Sequence, residues 1–140
     1  MDAERAFARA ARGRRLASVA RRLHLRRAPS DGGRLCVYGA PRATASGRLG
    51  IRAIPIAAIS GTLEPSRAAL FDRCFRPAAG ARSRWERVWL AEHHGAVLPP
   101  ISVIQVGDSY AVRDGHHRVS VAKARGALSI DASIDAVDQP

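Results

Sequence analysis

The succession of patterned segments between residues 101 and 137 constrains the fold of this chain more than any other feature. Residues 101–106 read Ile-Ser-Val-Ile-Gln-Val, and residues 110–113 read Tyr-Ala-Val-Arg, both in the composition of β-strands. Between them, Gly107-Asp108 is typical of a two-residue hairpin turn. We therefore predict two antiparallel strands that end close to Asp114.

A helix and a closing strand are predicted after this hairpin. The helix spans roughly residues 115–125, with Gly126 where a C-terminal cap is expected. Residues 129–137 then alternate apolar and polar side chains, as a half-buried strand does. Strands and helices that alternate in this way predict a mixed α/β (α+β) domain.

Polar residues occupy the junction between the hairpin and the helix. They are Asp114, Gly115, His116, His117 and Arg118. We expect Asp114 to cap the helix and Gly115 to let backbone and ligand approach closely. The free N–H groups of the first turn, the positive end of the helix dipole and a bidentate guanidinium predict a phosphate or acidic-ligand site. A capped helix with a polar first turn also occurs without any ligand, and both interpretations stand at this point.

Residues 98–134, from Leu-Pro-Pro-Ile-Ser-Val to Asp-Ala-Ser-Ile, resemble the core of the ParB/sulfiredoxin superfamily. Gly115 and Arg118 keep the Gly-x-x-Arg frame at which ParB and sulfiredoxin bind nucleotide phosphates. The resemblance implies a small domain with a mixed sheet flanked by helices, and ATP or CTP with Mg²⁺ as the ligand. His116 stands where sulfiredoxin has its reactive cysteine, so we do not expect sulfiredoxin chemistry.

The Asp-Gly-His-x-Arg variant is more similar still to ParB-fold kinases that phosphorylate free serine, and to short bacterial proteins with a ParB-like domain. Upstream, Glu64-Pro-Ser-Arg67 resembles the Pro-Arg element that faces the nucleotide pocket in ParB domains, which implies a binding role for Arg67. Asp114 and Glu64 are then the candidate catalytic bases. Ser120, just after Arg118, lacks an activating-base motif, so we interpret it as a phosphate-contacting or solvent-facing hydroxyl.

The chain carries a large excess of positive charge, with 23 Lys and Arg against 12 Asp and Glu and a formal net charge of +11. Much of it lies in a predicted amphipathic helix, whose apolar stripe is Leu16, Val19, Ala20 and Leu23, with Phe7 and Ala10 extending it. Candidate nucleic-acid contacts lie on another face of this helix: Arg5, Arg9, Arg12 and Arg15. Such a helix could lie on the domain, on nucleic acid such as DNA, or on an anionic membrane surface.

Three segments make up the predicted organisation: a basic helical arm over residues 1–28, a linker over 29–50, and the ParB-like domain over 51–140. Within the domain we predict a first strand over 51–59 and a helix over 66–75. A second helix is predicted over 81–94, with Trp85, Val88 and Trp89 as its core-facing stripe.

The sequence also indicates where the protein works. It contains no apolar run of the length a membrane-spanning helix needs, and the N-terminus lacks the apolar core of a signal peptide. Cys36 and Cys74 have no Cys-x-x-Cys spacing and fit reduced thiols, so we expect a cytoplasmic protein. The histidines and acids show no metal-ligand spacing, so no protein-held metal site is predicted.

Three functions are consistent with these residues. The first is a nucleotide- or phosphate-binding module built on residues 115–118, whose ligand is a nucleotide or a phosphorylated small molecule. The second is a small phosphotransferase or NTPase that resembles the serine kinases. The third is an accessory protein that binds DNA non-specifically through its arginine-rich arm. The sequence does not predict the oligomeric state.

Overall fold

The structure of the protein is a computed structural model that describes residues 2–22, 35–39 and 47–136, without the side chains of residues 17–22, 47 and 48. Its helices and strands, in chain order, are α1 (Asp2–Arg22), β1 (Cys36–Val37), β2 (Gly47–Pro55), β3 (Ile59–Thr62), α2 (Pro65–Ala68), α3 (Arg82–His93), β4 (Ile101–Val106), β5 (Ser109–Asp114), α4 (His116–Ala124) and β6 (Ser129–Ala136). Short 3₁₀ turns at Ile56–Ala58 and Ala79–Ala81 complete the set. The predicted mixed α/β class is confirmed.

The described strands form a six-stranded mixed sheet in the order β1-β3-β5-β4-β6-β2. β4 and β5 form the predicted hairpin, in which Val106 pairs with Ser109 and Gly107 has a φ of 61°. The closing strand β6 lies parallel to β4 and antiparallel to β2. The chain crosses from β5 to β6 through α4, so the start of α4 lies where β5 ends.

The start of the sheet differs from the prediction. Strand pairing begins at Gly47 and stops at Pro55, where a 3₁₀ turn separates β2 from β3, so the single predicted strand over 51–59 is wrong. Cys36–Val37 pairs in parallel with β3, and Leu35 beside it is buried. The predicted linker over 29–50 therefore contributes to the sheet at both places, while residues 23–34 and 40–46 lie outside the described part.

The helix predicted over residues 66–75 is also wrong, because α2 ends at Ala68. Buried Asp72 accepts hydrogen bonds from the backbone N–H groups of Cys74 and Arg76 at 3.0 and 2.9 Å, and from Arg76 Nε at 2.7 Å. A short side chain that satisfies nearby backbone donors stabilises a turn in place of a helix. The loop that results brings buried Phe71 beneath the start of α4.

The basic helix α1 packs on the domain through its first three turns. Ala3 and Phe7 are buried, and the Phe7 ring meets Trp85 of α3 edge-on at 5.5 Å between centroids. Phe7 and Ala10, the predicted extension of the apolar stripe, make this contact, whereas Leu16 is 63% exposed. The side chains of Val19, Ala20 and Leu23 lie outside the described part. Among the predicted placements, the structure shows α1 lying on the domain.

Helix α3 agrees with its prediction closely. Trp85 and Trp89 are buried and Val88 is partly buried, as core-facing residues one turn apart should be. Within the described residues, none of the helices combines the length and apolar character that crossing a membrane requires.

Candidate functional site

The N-terminus of α4 is built around Gly115, which occupies the N-cap position with a φ of 114°. A side chain is excluded there, because a Cβ added to Gly115 would lie 2.8 Å from Cβ of Ile101. The prediction that Asp114 caps the helix is wrong, because Asp114 is the last residue of β5 and no side chain makes a capping hydrogen bond to α4. The backbone N–H groups of the first turn therefore have neither an acceptor within the helix nor a capping side chain.

The two imidazoles of the motif are buried, and this changes their predicted role. His116 is 3% and His117 is 7% exposed, and both rings pack against Phe71, at 6.4 and 5.1 Å between centroids. Burial is the largest cause that lowers the pKa of each histidine to about 4; the charge of Arg67 contributes at His116, and the charges of Arg84 and Arg67 contribute at His117. At neutral pH the imidazoles are therefore uncharged.

Thr62 holds the ring of His116, and sequence reasoning did not find it. This fully buried hydroxyl lies 2.6 Å from Nε2 of His116, while its carbonyl neighbours on Val112 and Glu64 lie at 3.4 Å. The short contact is best satisfied when the hydroxyl donates to Nε2, which places the ring proton on Nδ1. A threonine at the end of a strand carries no local signal of this contact, since 54 residues separate the partners.

Arg118 is anchored on the opposite side of the turn. Its guanidinium donates to the carbonyls of Pro99 and Pro100 at 2.5 and 3.1 Å and to the Asp114 carboxylate at 3.2 Å. The Arg118 side chain is 16% exposed, whereas that of Asp114 is 81% exposed. Arg118 is therefore pre-positioned by backbone oxygens, and Asp114 stands at the rim with solvent around it.

A cleft of about 320 Å³ opens beside these residues. It is lined by Asp114, Gly115, His116, His117 and Arg118 from the predicted motif and also by Arg67 of α2 and Arg84 of α3. The structure thus brings the predicted Arg67 to the motif and adds Arg84, which the sequence reasoning missed. Among the described residues, neither Arg67 nor Arg84 lies within ion-pair distance of a carboxylate. The sequence signal that could have found Arg84 is its position on α3, one helical turn before Val88, which also lines the cleft.

Two predicted site residues lie elsewhere. The Ser120 hydroxyl accepts from Trp85 Nε1 at 2.8 Å and donates to the carbonyl of Phe75 at 2.5 Å, in the core. Both hydrogen bonds tie α4 to the elements behind it, so the structure does not bring the Ser120 hydroxyl to this cleft. Glu64 is exposed and does not line the cleft, so Asp114 is the carboxylate that the structure brings to the site.

The arginines of α1 form a separate basic surface. Four of them are exposed, and none of the four lines the cleft at the N-terminus of α4: Arg5, Arg9, Arg12 and Arg15. Within the described part of the chain, no three His, Cys, Asp or Glu side chains come together in a way that could hold a metal ion.

No protein-family model matches the chain, and no curated protein matches it in sequence. Among solved structures, the fold is similar to the crystal structure of sulfiredoxin from Arabidopsis thaliana, at 19% identity and a TM-score of 0.44. The match covers 60% of this chain and 82% of that one. At this level of similarity the match carries no argument about family, ligand or activity.

Proposed function

We propose that the protein binds the phosphate groups of a nucleotide or a phosphorylated small molecule in the cleft at the N-terminus of α4. One observation carries the proposal: arginines from three separate elements, Arg67, Arg84 and Arg118, line a single cleft together with the uncapped first turn of a helix. Converging guanidinium groups and free N–H groups are the two devices that proteins use most for phosphate.

The histidines support the same conclusion through their pKa values. Positive charge from Arg67 and Arg84 opposes protonation of imidazoles that burial already keeps neutral. A potential that disfavours a cation at this place favours an anion there. The neutral rings add hydrogen-bonding groups without cancelling the charge of the arginines.

The size of the cleft limits what it holds. At about 320 Å³ it is at the small end of ligand sites, which run from roughly 300 to 1,000 Å³. The proposal therefore places the phosphates in the cleft and the nucleoside of ATP or CTP along its mouth. Asp114, exposed at the rim, is the carboxylate that would meet Mg²⁺ carried by the phosphates. The Gly-x-x-Arg frame shared with ParB and sulfiredoxin supports this placement.

Phosphate transfer to a small acceptor such as free serine is the second candidate function, and the position of Asp114 favours it. A kinase needs a carboxylate beside the transferred phosphate to accept the acceptor's proton. Asp114 lies at the cleft and Glu64 outside it, so Asp114 is the proposed base. Formation of phosphoserine and nucleoside diphosphate from ATP and serine, lost in Asp114→Asn, would establish it. If no acceptor in a broad screen is phosphorylated, the protein is a binding module.

Calorimetric titration of ATP, CTP and inorganic tripolyphosphate, with and without Mg²⁺, tests binding. Arg84→Ala and Arg87→Ala make a matched pair, because both arginines are exposed on α3 and only Arg84 lines the cleft. We expect Arg84→Ala to weaken binding roughly tenfold, the effect of one charge-assisted hydrogen bond, and Arg118→Ala to weaken it more. Arg87→Ala should bind as wild type does. If none of the three ligands binds wild type, or if the matched pair lose affinity equally, the proposal is wrong.

A further inference from the structure

A second cleft, of about 860 Å³, lies between α1 and the far end of α4. Arg5 and Arg9 of α1 border it on one side, and Lys123 and Arg125 border it on the other. Asp2 is the acidic residue in its lining. Cations near the end of a helix interact favourably with its dipole, and Arg125 also lies 3.6 Å from a carboxylate oxygen of Glu92, so Lys123 and Arg125 are accounted for when taken alone. Neither interaction accounts for two further arginines placed opposite them across an open cleft, where like charges repel.

The base of this cleft shows how a ligand would be recognised. The Trp89 ring stacks on His93 at 4.6 Å between centroids, and the guanidinium of Arg125 lies over the ring at 5.4 Å. The indole is thus engaged by both neighbours and only 9% exposed, so it offers no platform on which a nucleobase could stack. Recognition in this cleft therefore rests on positive charge, which binds anionic groups such as phosphates.

The positive charge forms a stripe on α1 that runs along the cleft. Arg5, Arg9 and Arg12 are exposed and follow each other at intervals of four and three residues, which places them on one face of the helix. From Arg5 to Arg12 this face extends about 10 Å along the axis, at ~1.5 Å per residue. A stripe of this length along a cleft matches a linear polyanion better than a compact one.

We propose that the cleft between α1 and α4 binds the sugar–phosphate backbone of a single nucleic-acid strand, without reading its bases. Arg9 and Lys123 contact phosphates from the two walls, and the stripe on α1 follows the strand outward. This site is separate from the cleft at the N-terminus of α4, and neither proposal depends on the other.

Fluorescence anisotropy of a labelled mixed-sequence 20-nucleotide single strand, titrated with the full chain at several salt concentrations, tests this proposal. The double variant Arg9→Ala/Lys123→Ala is compared with Arg52→Ala/Arg87→Ala, which removes the same charge from exposed positions outside the cleft. We expect the first variant to bind about tenfold more weakly. The slope of log affinity against log salt should fall by about 1.4, or ~0.7 for each phosphate that the variant no longer neutralises. Arg52→Ala/Arg87→Ala and Arg118→Ala should stay within about threefold of wild type.

The outcomes separate the alternatives. Equal losses in the two double variants would overturn the proposal, because the net charge alone would then hold the strand. A comparable loss in Arg118→Ala would place the strand at the other cleft, and it would overturn the proposal as well. Tripolyphosphate is the competing small ligand: if it binds through Arg9 and Lys123 while the oligonucleotide does not bind, the nucleic-acid assignment is wrong. Since all four mutated side chains of the double variants are exposed, each variant should unfold at the temperature of wild type, which circular dichroism checks.

Discussion

The two ends of α4 present positive charge in opposite ways. At its start, Arg118 is held by two backbone carbonyls and two neutral imidazoles are packed against Phe71. At its other end, the positive side chains of Lys123 in the last turn and Arg125 just past it line an open cleft that α1 also borders. Under the two proposals, the first end is a pre-organised site for a small anion, whereas the second is a field of positive charge along a surface. Affinity at a fixed site should change little with salt concentration and should depend on single residues. Affinity in an extended field of charge should fall with salt and depend little on any one residue.

The largest predicted effect is a loss of folding stability in acid, which arises from the two buried histidines at the start of α4. The unfolded chain binds protons at these imidazoles near pH 6.5, but folded His116 and His117 bind them only near pH 4. The unfolded state therefore holds more protons between those values, so stability is complete above pH 6.5 and falls as the pH drops towards 4. We expect a loss on the order of 2 kcal/mol for each imidazole between pH 7 and pH 5.

Urea unfolding at the two pH values measures this loss. His117→Gln should remove about half of the pH dependence, and His94→Gln, at an exposed position near the end of α3, should leave it as it is. An equal pH dependence in wild type and His117→Gln would show that the buried imidazoles do not carry the effect.

Glycines at the two ends of α4 allow a direct structural comparison. Gly115 and Gly126 have φ values of 114° and 84°, but an added Cβ meets Ile101 at the first and nothing within 4 Å at the second. Gly126→Ala should cost about 1–2 kcal/mol, the strain of a left-handed residue. Gly115→Ala should cost a further 1–3 kcal/mol or so, because Ile101 must move. Chemical denaturation of both variants gives the difference, and equal costs would contradict the close approach of Ile101.

Ser120, midway along α4, tests whether the hydroxyl is structural. Ser120→Ala leaves Trp85 Nε1 and the Phe75 carbonyl without their partner, at a cost of about 2 kcal/mol. Nucleotide affinity should not change. Ser83→Ala, an exposed position on α3, is the control and should be neutral in both respects. A loss of nucleotide affinity in Ser120→Ala without a loss of stability would restore the phosphate-contacting role.

Arg125, just past the end of α4, should show the smallest effect. Its guanidinium lies over Trp89 and 3.6 Å from a carboxylate oxygen of Glu92, and its side chain is 35% exposed. Contacts of this kind at a half-exposed place contribute about 1 kcal/mol or less. Arg125→Gln should therefore unfold within a few degrees of wild type by calorimetry. A loss comparable to that of Gly115→Ala would mean that this end is as tightly organised as the first.

The sequence by itself determined the hairpin, helices α3 and α4, the closing strand, and the polar junction between β5 and α4. These features depend on alternation, helical spacing and turn residues, which act between neighbours in the chain. The same local reasoning placed a helix where Asp72 stabilises a turn, and it placed the N-cap of α4 at Asp114, whereas the N-cap is Gly115. Both errors arose where a side chain or a steric contact competes with local propensity.

Only the tertiary structure decided what the junction can do. Packing on Phe71 makes the imidazoles neutral, Thr62 orients one of them, and α2 and α3 bring Arg67 and Arg84 to the cleft. The same packing directs Ser120 into the core and places α1 opposite the end of α4. These contacts join residues far apart in the chain. Burial and charge at a site depend on all the elements around it, and no local pattern of residues records them.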